Sequence, residues 1–363
     1  MRRAFATSMI LSLFACSDPA PGDPSPAPMV QSTRLSGPYA HGNLTVFLVH
    51  ATPASQDDFG CITLEEALQS GAIKVTEKAE GAEVNELQVE NAGDKPVYLQ
   101  AGDTVKGGQQ DRTIAVDTIL PPKSGKRGID AFCVEPGRWH AREGTRYANV
   151  FGVAQAPVAT NEQKLAIRLE KDQGKVWAAG ERVNRDLATV ARPEAPAEPA
   201  ARSPEPGQRS TSSAGITGVF SGAKNSYVEA IEEETVQKKL AERIAALEKA
   251  PAGHPDAVGA VFCMNGKIQS AEIYAAAGLF RKLWPKLLRS ASVEAISKQK
   301  EGAAGQAPAE ADVRALLADL EAGKSKTEER PGGHTVRVTE KERAVRFDTE
   351  ADGKLLHRQV LTR

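Results

Sequence analysis

The sequence contains no apolar run long enough to cross a membrane as a helix. The longest run, Ala4 to Phe14, is about half of the roughly 20 residues that a bilayer requires. It follows two arginines and leads into Ala15-Cys16, an order typical of a lipoprotein signal peptide. We predict cleavage before Cys16 and lipidation of Cys16, which would anchor the chain on the non-cytoplasmic side of a bacterial membrane, in the cell envelope. The alternative is an ordinary secretory signal whose cysteine is incidental.

The chain also lacks an excess of charge of one sign and is poor in cysteine. Lysine and arginine number 46 against 47 aspartate and glutamate residues. Without a basic block the sequence offers no electrostatic surface for nucleic acid, so we predict no nucleic-acid partner. Beyond Cys16 only Cys61, Cys133 and Cys263 remain. At most one disulfide can form among these three, and the sequence leaves its pairing open.

Metal and cofactor motifs are missing as well. The six histidines show no paired spacing of the kind that zinc sites use, and no Cys-x-x-Cys occurs. Ser124-Gly125-Lys126 lacks the upstream glycine and the following hydroxyl residue of a phosphate loop. We therefore predict no metal and no cofactor, and the catalytic residues, if any, are unknown.

Composition and periodicity predict an α+β fold: a strand-rich body, long amphipathic helices packed on it and a C-terminal β-hairpin. Thr63 and Glu66 form a capping box for a short helix that ends near Gly71. The predicted organisation is a signal peptide at 1–15, a Pro/Ala-rich tether at 16–40, an α+β domain at 41–300 with a disordered insertion at 190–222, and a C-terminal helix and β-hairpin at 301–363.

The individual elements follow from the spacing of apolar residues and from turn signals. Asn265-Gly266 is a strong hairpin signal between two apolar strands. The predicted strands are 44–51, 73–77, 84–90, 96–100, 112–120, 129–135, 257–264, 267–274, 335–338, 344–348 and 355–361. The predicted helices are 161–188, 226–249, 279–298, which contains Pro285, and a short one at 313–320.

The stretch from Val97 to Trp139 is the most distinctive part of the chain. It contains Lys106-Gly107-Gly108-Gln109-Gln110-Asp111-Arg112 and Phe132-Cys133-Val134-Glu135-Pro136-Gly137-Arg138-Trp139. It resembles the domain family named for its association with ADP-ribosylglycohydrolases and rhodanese-phosphatases, and the likeness covers roughly Leu44 to Ala295. The resemblance implies nucleotide-sugar or ADP-ribose chemistry nearby. That family has no established reaction, so the resemblance supplies no catalytic residues.

The first group of candidate binding residues is Gln110, Asp111 and Arg112. The glycines before them suit a tight turn, which would place these polar residues at the start of a strand near an end of the sheet. In a continuous strand Asp111 and Asp117 would share a face about 20 Å apart, too far to act as a pair of carboxylates. The alternative is that Asp111 and Arg112 are solvated or fold-bracing charges.

The second group is Glu135, Arg138 and Trp139, which a Pro-Gly turn brings within five residues. A carboxylate, a guanidinium and an indole suit recognition of sugars or anions. The alternative is a structural Glu-Arg pair with Trp139 closing the core. Cys133 and His140 are not predicted to form a nucleophilic pair, because a neighbouring carboxylate raises the pKa of a thiol.

These residues favour a non-catalytic, membrane-tethered domain that binds a ligand or acts as a scaffold, with a small polar or glycan-like molecule as the ligand. The competing hypothesis is a hydrolase of a glycoside or ADP-ribose-like substrate with Glu135 or Asp111 as acid or base. It requires a deep pocket and a second carboxylate about 5 to 10 Å away.

Overall fold

The computed structural model describes residues 34–78, 85–138, 140, 150–191, 227–299, 306–330, 334–351 and 353–363. Its fold is α+β, as predicted. The strands are β1 (Arg34–His41), β2 (Leu44–His50), β3 (Ile62–Thr63), β4 (Ile73–Glu77), β5 (Glu86–Asn91), β6 (Val97–Leu99), β7 (Asp103–Gly107), β8 (Arg112–Ile114), β9 (Thr118–Leu120), β10 (Gly125–Cys133), β11 (Phe151–Val158), β12 (Ala257–Met264), β13 (Lys267–Tyr274), β14 (Ser325–Arg330), β15 (His334–Glu340), β16 (Ala344–Ala351) and β17 (Lys354–Thr362). The helices are α1 (Leu64–Gln69), α2 (Asn161–Leu165), α3 (Gln173–Ala191), α4 (Tyr227–Ile231), α5 (Glu234–Leu247), α6 (Ala277–Ser297) and α7 (Glu310–Glu321), and a π-helical segment, Ala166–Glu170, follows α2.

The largest sheet has eight strands in the order β1-β2-β12-β13-β17-β16-β15-β14, and its neighbours pair antiparallel. A six-stranded sheet has the order β11-β7-β8-β10-β5-β4, and a three-stranded sheet has the order β3-β6-β9. The last strand in sequence, β17, therefore lies in the middle of the large sheet, next to β13.

Both faces of the large sheet are covered by helices. Every residue of β2 is buried. Since successive side chains of a strand point to opposite faces, both faces of the sheet must be covered here. Leu44 and Leu48 join the cluster that contains Phe280 and Leu283 of α6. Phe47 joins the opposite cluster, which contains Val313, Leu317 and Leu320 of α7. Continuous apolarity in this strand reflects burial on two sides.

The six-stranded sheet packs around its own core with α1. The predicted capping box is confirmed, since the Thr63 hydroxyl accepts from the Glu66 N–H and the Glu66 carboxylate accepts from the Thr63 N–H. Leu64 and Ala67 of α1 pack on Val75 of β4 and the strands beside it. A separate cluster packs apolar side chains of α3, α4, α5 and α6 against Phe132 of β10.

Two domain boundaries are corrected by the structure. Residues 34–40, predicted as part of the tether, form most of β1 and pair with β2. Residues 325–362 are no separate C-terminal unit, because β14 to β17 belong to the same large sheet as β2 and β12. The predicted β-hairpin is present as β16 and β17. Most of the insertion predicted at 190–222 lies outside the described residues, whereas Val190 and Ala191 end α3.

Three elements that were predicted to be continuous are each divided in the structure. The helix predicted over 161–188 is interrupted, because Lys171 adopts a left-handed φ of 52° after the π-helical segment. The helix predicted over 226–249 is divided into α4 and α5. The strand predicted over 112–120 is divided into β8 and β9, which belong to different sheets. The hairpin at Asn265-Gly266 is confirmed, with both residues at positive φ.

Cys61, Cys133 and Cys263 are all buried and unbridged. Pro285 lies inside α6, so this helix accommodates the proline without ending there. Among the described helices, none has both the length and the apolar character that crossing a membrane demands.

Candidate functional site

A cluster of fully buried charged side chains lies where the large sheet meets the three-stranded sheet. Asp117 directly precedes β9, Glu272 lies on β13 and His357 lies on β17; each is at most 1 % exposed. His357 Nδ1 lies 3.0 Å from Asp117 Oδ1, and His357 Nε2 lies 2.8 Å from Glu272 Oε2. Burying such groups costs free energy unless they are paired and hydrogen-bonded. We call this cluster, with Lys164 and Arg168, the central network.

The two cations of the central network come from one face of the helical segment after Thr160. Lys164 Nζ lies 2.6 Å from Glu272 Oε1, and Arg168 Nη2 lies 3.2 Å from Asp117 Oδ2. Their spacing of four residues places both side chains on the same side of the helix. Lys164 and Arg168 are 6 % and 8 % exposed, so each carboxylate has a buried cation as well as His357.

Neutral donors occupy the remaining carboxylate lone pairs. Asp117 accepts from the Tyr98 hydroxyl at 3.1 Å, from the Ala101 N–H at 3.0 Å and from the Thr349 hydroxyl at 2.8 Å. The Gln359 amide donates to both oxygens of Glu272 at 3.0 and 3.1 Å. Buried polar atoms in native proteins are normally satisfied in this way. The central network is therefore densely hydrogen-bonded.

The protonation states follow from this geometry. Burial alone would lower the pKa of His357, but Asp117 and Glu272 raise it above the ordinary value. Burial would likewise raise the pKa of Asp117, but His357 and Arg168 hold it well below its usual range. A histidine that faces carboxylate oxygens with both nitrogens donates from both only as the imidazolium. With both nitrogens donating, His357 is the imidazolium and has no lone pair for use as a general base.

The polar residues singled out in the sequence lie together elsewhere, at the bend between β7 and β8. Arg138 Nη2 lies 3.1 Å from Asp111 Oδ1, and Arg138 Nε donates to Glu135 Oε2 at 2.7 Å. The Asp111 N–H also donates to Glu135 Oε2, at 3.0 Å. Asp111 and Glu135 are 0 % and 1 % exposed. We call this group, with Gln110 and Arg112, the bend cluster.

Gln110 and Arg112 are also buried in the bend cluster. Arg112 lies 3.5 Å from Glu77 Oε1 and contacts the Cys133 sulfur. Gln110 is 0 % exposed, and neither its amide oxygen nor its amide nitrogen has a hydrogen-bond partner. Five of the six predicted binding residues therefore come close together, at an internal strand of the sheet. Trp139 lies outside the described residues.

Cys133 does not have the environment of a nucleophile. Burial is the main cause that raises its thiol pKa to about 11; Arg112 opposes this, and Glu77 and Glu135 add to it. The upward direction matches the sequence prediction, although burial outweighs the carboxylates. At neutral pH the thiol is protonated, and a thiolate is the reactive form.

A cavity of about 240 Å³ opens beside the central network. Its inner wall is apolar, formed by Phe132, Ile167, Val336 and Phe347, and Arg168 lines it as well. The Arg168 guanidinium carbon lies 4.4 Å from the centre of the Phe347 ring. The rim carries Lys171, Glu328, Arg330 and Asp130, joined by ion pairs. Arg168 thus connects the cavity to Asp117.

A wider groove of about 1880 Å³ runs along α2, α3 and α7. Its lining mixes lysine, arginine, aspartate and glutamate with few buried side chains. Neither Glu135 nor Asp111 lines this groove or the smaller cavity. The cations that line the groove, such as Lys298 and Arg182, are at least a third exposed, whereas the smaller cavity presents the buried guanidinium of Arg168, so the smaller cavity is the better candidate for specific binding.

Sequence reasoning did not find Lys164, Arg168, Glu272 or His357. One signal was present: Glu272 is a charged residue in a strand whose end is otherwise apolar. The spacing of the histidines gave no sign of a metal site, but the fold brings two histidines and an aspartate together. His50, His254 and Asp256 each offer one atom, and these atoms lie within 4.8 Å of one another.

Comparison with known proteins gives a family and no nearer relative. The sequence profile of the ARPP-1 family, described as the ARG and Rhodanese-Phosphatase-superfamily-associated Protein domain, matches residues 32–361. The match is wider than the range from Leu44 to Ala295 suggested by the motifs. No curated protein and no solved structure matches the chain.

Proposed function

Because the chain belongs to the ARPP-1 domain family, which has no established reaction, we propose its function from the geometry: a non-catalytic binding domain, held at the bacterial envelope through lipidated Cys16. Its ligand is a small molecule that carries a hydrogen-bond acceptor, held in the cavity beside Arg168. The signal-peptide pattern that ends at Cys16 supports the location.

One observation carries the binding role: a buried guanidinium is fixed at the wall of an apolar cavity. Arg168 Nη1 donates to Gln359 Oε1 at 3.0 Å, Arg168 Nη2 forms an ion pair with Asp117 Oδ2 at 3.2 Å, and the Phe347 ring supports the guanidinium from one side. These two contacts involve both terminal nitrogens of a guanidinium, which has five N–H donors in all. A fixed donor loses little conformational freedom when a ligand binds, which favours affinity.

The cavity also limits the ligand. Its volume of about 240 Å³ lies below the range of about 300–1,000 Å³ that is usual for drug-sized ligands. Phe132, Phe347 and Val336 would contact a ring or an aliphatic group, and Arg168 would contact a carboxylate, phosphate or carbonyl oxygen. This lining suits the small polar ligand predicted from the sequence. The cavity is too small for a whole oligosaccharide.

The bend cluster gives less support to the hydrolase hypothesis. Asp111 and Glu135 both pair with Arg138, so the two carboxylates share one cation and are almost fully buried. A general acid in a glycosidase needs a raised pKa and direct contact with the substrate. Neither carboxylate lines the cavity or the wider groove, so this cluster suits a fold-bracing role.

A test can use cavity-filling and charge-preserving variants. We would titrate benzoate and inorganic phosphate into the purified full-length chain in detergent, with ligand-observed NMR as the readout. Val338 lines the cavity and is half-buried, so Val338→Trp would fill it and abolish benzoate binding. Arg168→Lys keeps the charge and loses the fork of donors, so binding would weaken about tenfold.

Lys326→Gln serves as the control, because this side chain is exposed on β14 and does not line the cavity. Equal benzoate binding by the wild type, the Val338→Trp variant and the Lys326→Gln variant would refute the proposed site. To test the anchor, cells would be labelled with an alkyne fatty acid: incorporation should be lost in Cys16→Ala. A Cys16→Ala variant that is still labelled would contradict the attachment.

A further inference from the structure

A group of nitrogen and oxygen donors lies far along the large sheet from the cavity. His50 is the last residue of β2, and His254 and Asp256 belong to the turn that precedes β12. One ring nitrogen of each histidine and one carboxylate oxygen of Asp256 lie within 4.8 Å of one another. Within the described part of the chain, this is the one such group of three or more His, Cys, Asp or Glu side chains.

Outer contacts fix the orientation of both imidazole rings. The Ser36 hydroxyl lies 2.8 Å from His50 Nε2, and the Tyr39 hydroxyl lies 2.7 Å from His254 Nε2. Both hydroxyls come from β1. Metal-binding histidines almost always have such a partner on the ring nitrogen away from the ion, since it fixes tautomer and orientation. The hydroxyls of β1 therefore hold both imidazole rings in the orientation that a metal ligand needs.

A cation already lies between two of the donors. Arg34 Nη2 lies 2.9 Å from Asp256 Oδ2 and 3.1 Å from His50 Nδ1. His50 Nδ1 also lies 2.9 Å from Asp256 Oδ1. The side chains of Arg34 and Asp256 are 55 % and 35 % exposed, whereas that of His50 is fully buried. Arg34 can therefore turn into solvent without uncovering the core.

We propose that His50, His254 and Asp256 bind a divalent transition-metal ion, with zinc as the first candidate, and that Arg34 is the cation this ion displaces. Two imidazoles and a carboxylate are borderline donors that suit zinc. Three protein ligands leave a fourth position for water, on the side where Asp256 is exposed. The ligands come from the end of β2 and from the turn before β12, so a bound ion would join these two segments.

The experiment is a titration of the purified full-length chain with zinc chloride, followed by isothermal calorimetry and by elemental analysis after dialysis. We expect one zinc ion per chain. Asp256→Asn and His254→Gln should each weaken binding by about tenfold or more. Arg34→Ala should strengthen binding by about fivefold, because it removes a positive charge that competes for the same carboxylate.

The control is His41→Gln, since His41 is an exposed histidine of β1 outside the group; its zinc binding should equal that of the wild type. Circular dichroism would verify the fold of each variant. If Asp256→Asn binds zinc as tightly as the wild type, the ion lies elsewhere and the proposal is wrong. If neither the wild type nor Arg34→Ala retains zinc, the three residues only clamp β1 to the turn, which also refutes it.

Discussion

The central network and the bend cluster are both buried groups of charged side chains, but they are assembled in different ways. The bend cluster comes from residues 110–138, within one part of the chain. The central network joins Asp117, Lys164, Glu272 and His357, which come from four separate segments. A local cluster braces the loop that contains it, whereas a distributed network connects several layers. The central network should therefore dominate the stability of the whole domain.

The largest expected effect comes from opening the central network at Glu272. Glu272→Leu leaves Lys164 buried without its carboxylate and removes one of the two carboxylates of His357, so the free energy of unfolding should fall by about 3–5 kcal/mol. Urea unfolding followed by circular dichroism would measure it. As a control, Glu310→Gln on α7 removes an exposed partner of Arg314 and should change stability by less than about 1 kcal/mol. Similar losses for both variants would contradict the contrast.

Removing the Arg138 cation from the bend cluster should lower the free energy of unfolding by a smaller amount. Arg138→Met leaves Asp111 and Glu135 without their shared cation, and the loss should be about 2 kcal/mol. Adding Glu135→Gln to this variant removes one of the two carboxylate charges and should recover part of the loss. Urea unfolding of the two single variants and the double variant gives the coupling energy. Strictly additive losses would show that Arg138 and Glu135 do not act as a pair.

The contribution of the central network to the free energy of unfolding should also depend on pH, through His357. This effect should be smaller than the effect of either substitution above. The pKa of His357 is raised in the folded chain, so the folded state holds this proton more tightly than the unfolded state. Its contribution is fully present below the unfolded pKa of about 6.5 and is lost as pH rises through the folded pKa. Histidine NMR signals, assigned with His357→Asn, would report the titration. A His357 signal that titrates below about 6.5 would contradict the imidazolium.

The smallest effect compares two buried amides. Gln359 bonds to both Arg168 and Glu272, whereas the Gln110 amide has no partner. Gln110→Met removes an unsatisfied polar group and should leave stability unchanged or raise it by about 1 kcal/mol, while Gln359→Met should lower it by about 1–3 kcal/mol. Thermal unfolding would compare them. If Gln110→Met is the more destabilising of the two, the contrast between the amides is wrong.

Much of the fold could be predicted because its signals are local. The capping box at Thr63 and the hairpin turn at Asn265-Gly266 each depend on neighbouring residues alone. The break at Lys171 could not be predicted, because apolar spacing continues across it. The strand β1 was missed because its burial pattern is irregular and mostly exposed, so its pairing with β2 leaves little trace in the sequence.

The candidate sites show the same difference between local contacts, which could be predicted, and long-range contacts, which could not. Gln110, Asp111, Glu135 and Arg138 were grouped by proximity in sequence, and folding keeps them together. Asp117 was assigned to the same strand as Asp111, but the chain leaves that strand after Ile114. Its partners lie far away in sequence, and nothing in the spacing of single residues relates Asp117 to His357. Contacts of this kind are set by sheet order.

The position of β17 has a consequence for how the protein is made. Residues 354–362 fill the place between β13 and β16, and they also supply His357 and Gln359. These residues follow the strands on either side in the chain, so the edges of β13 and β16 stay unpaired until β17 is available. A premature stop codon before Lys354 would leave those edges without their shared neighbour, and such a product should be a substrate for chaperones and proteases.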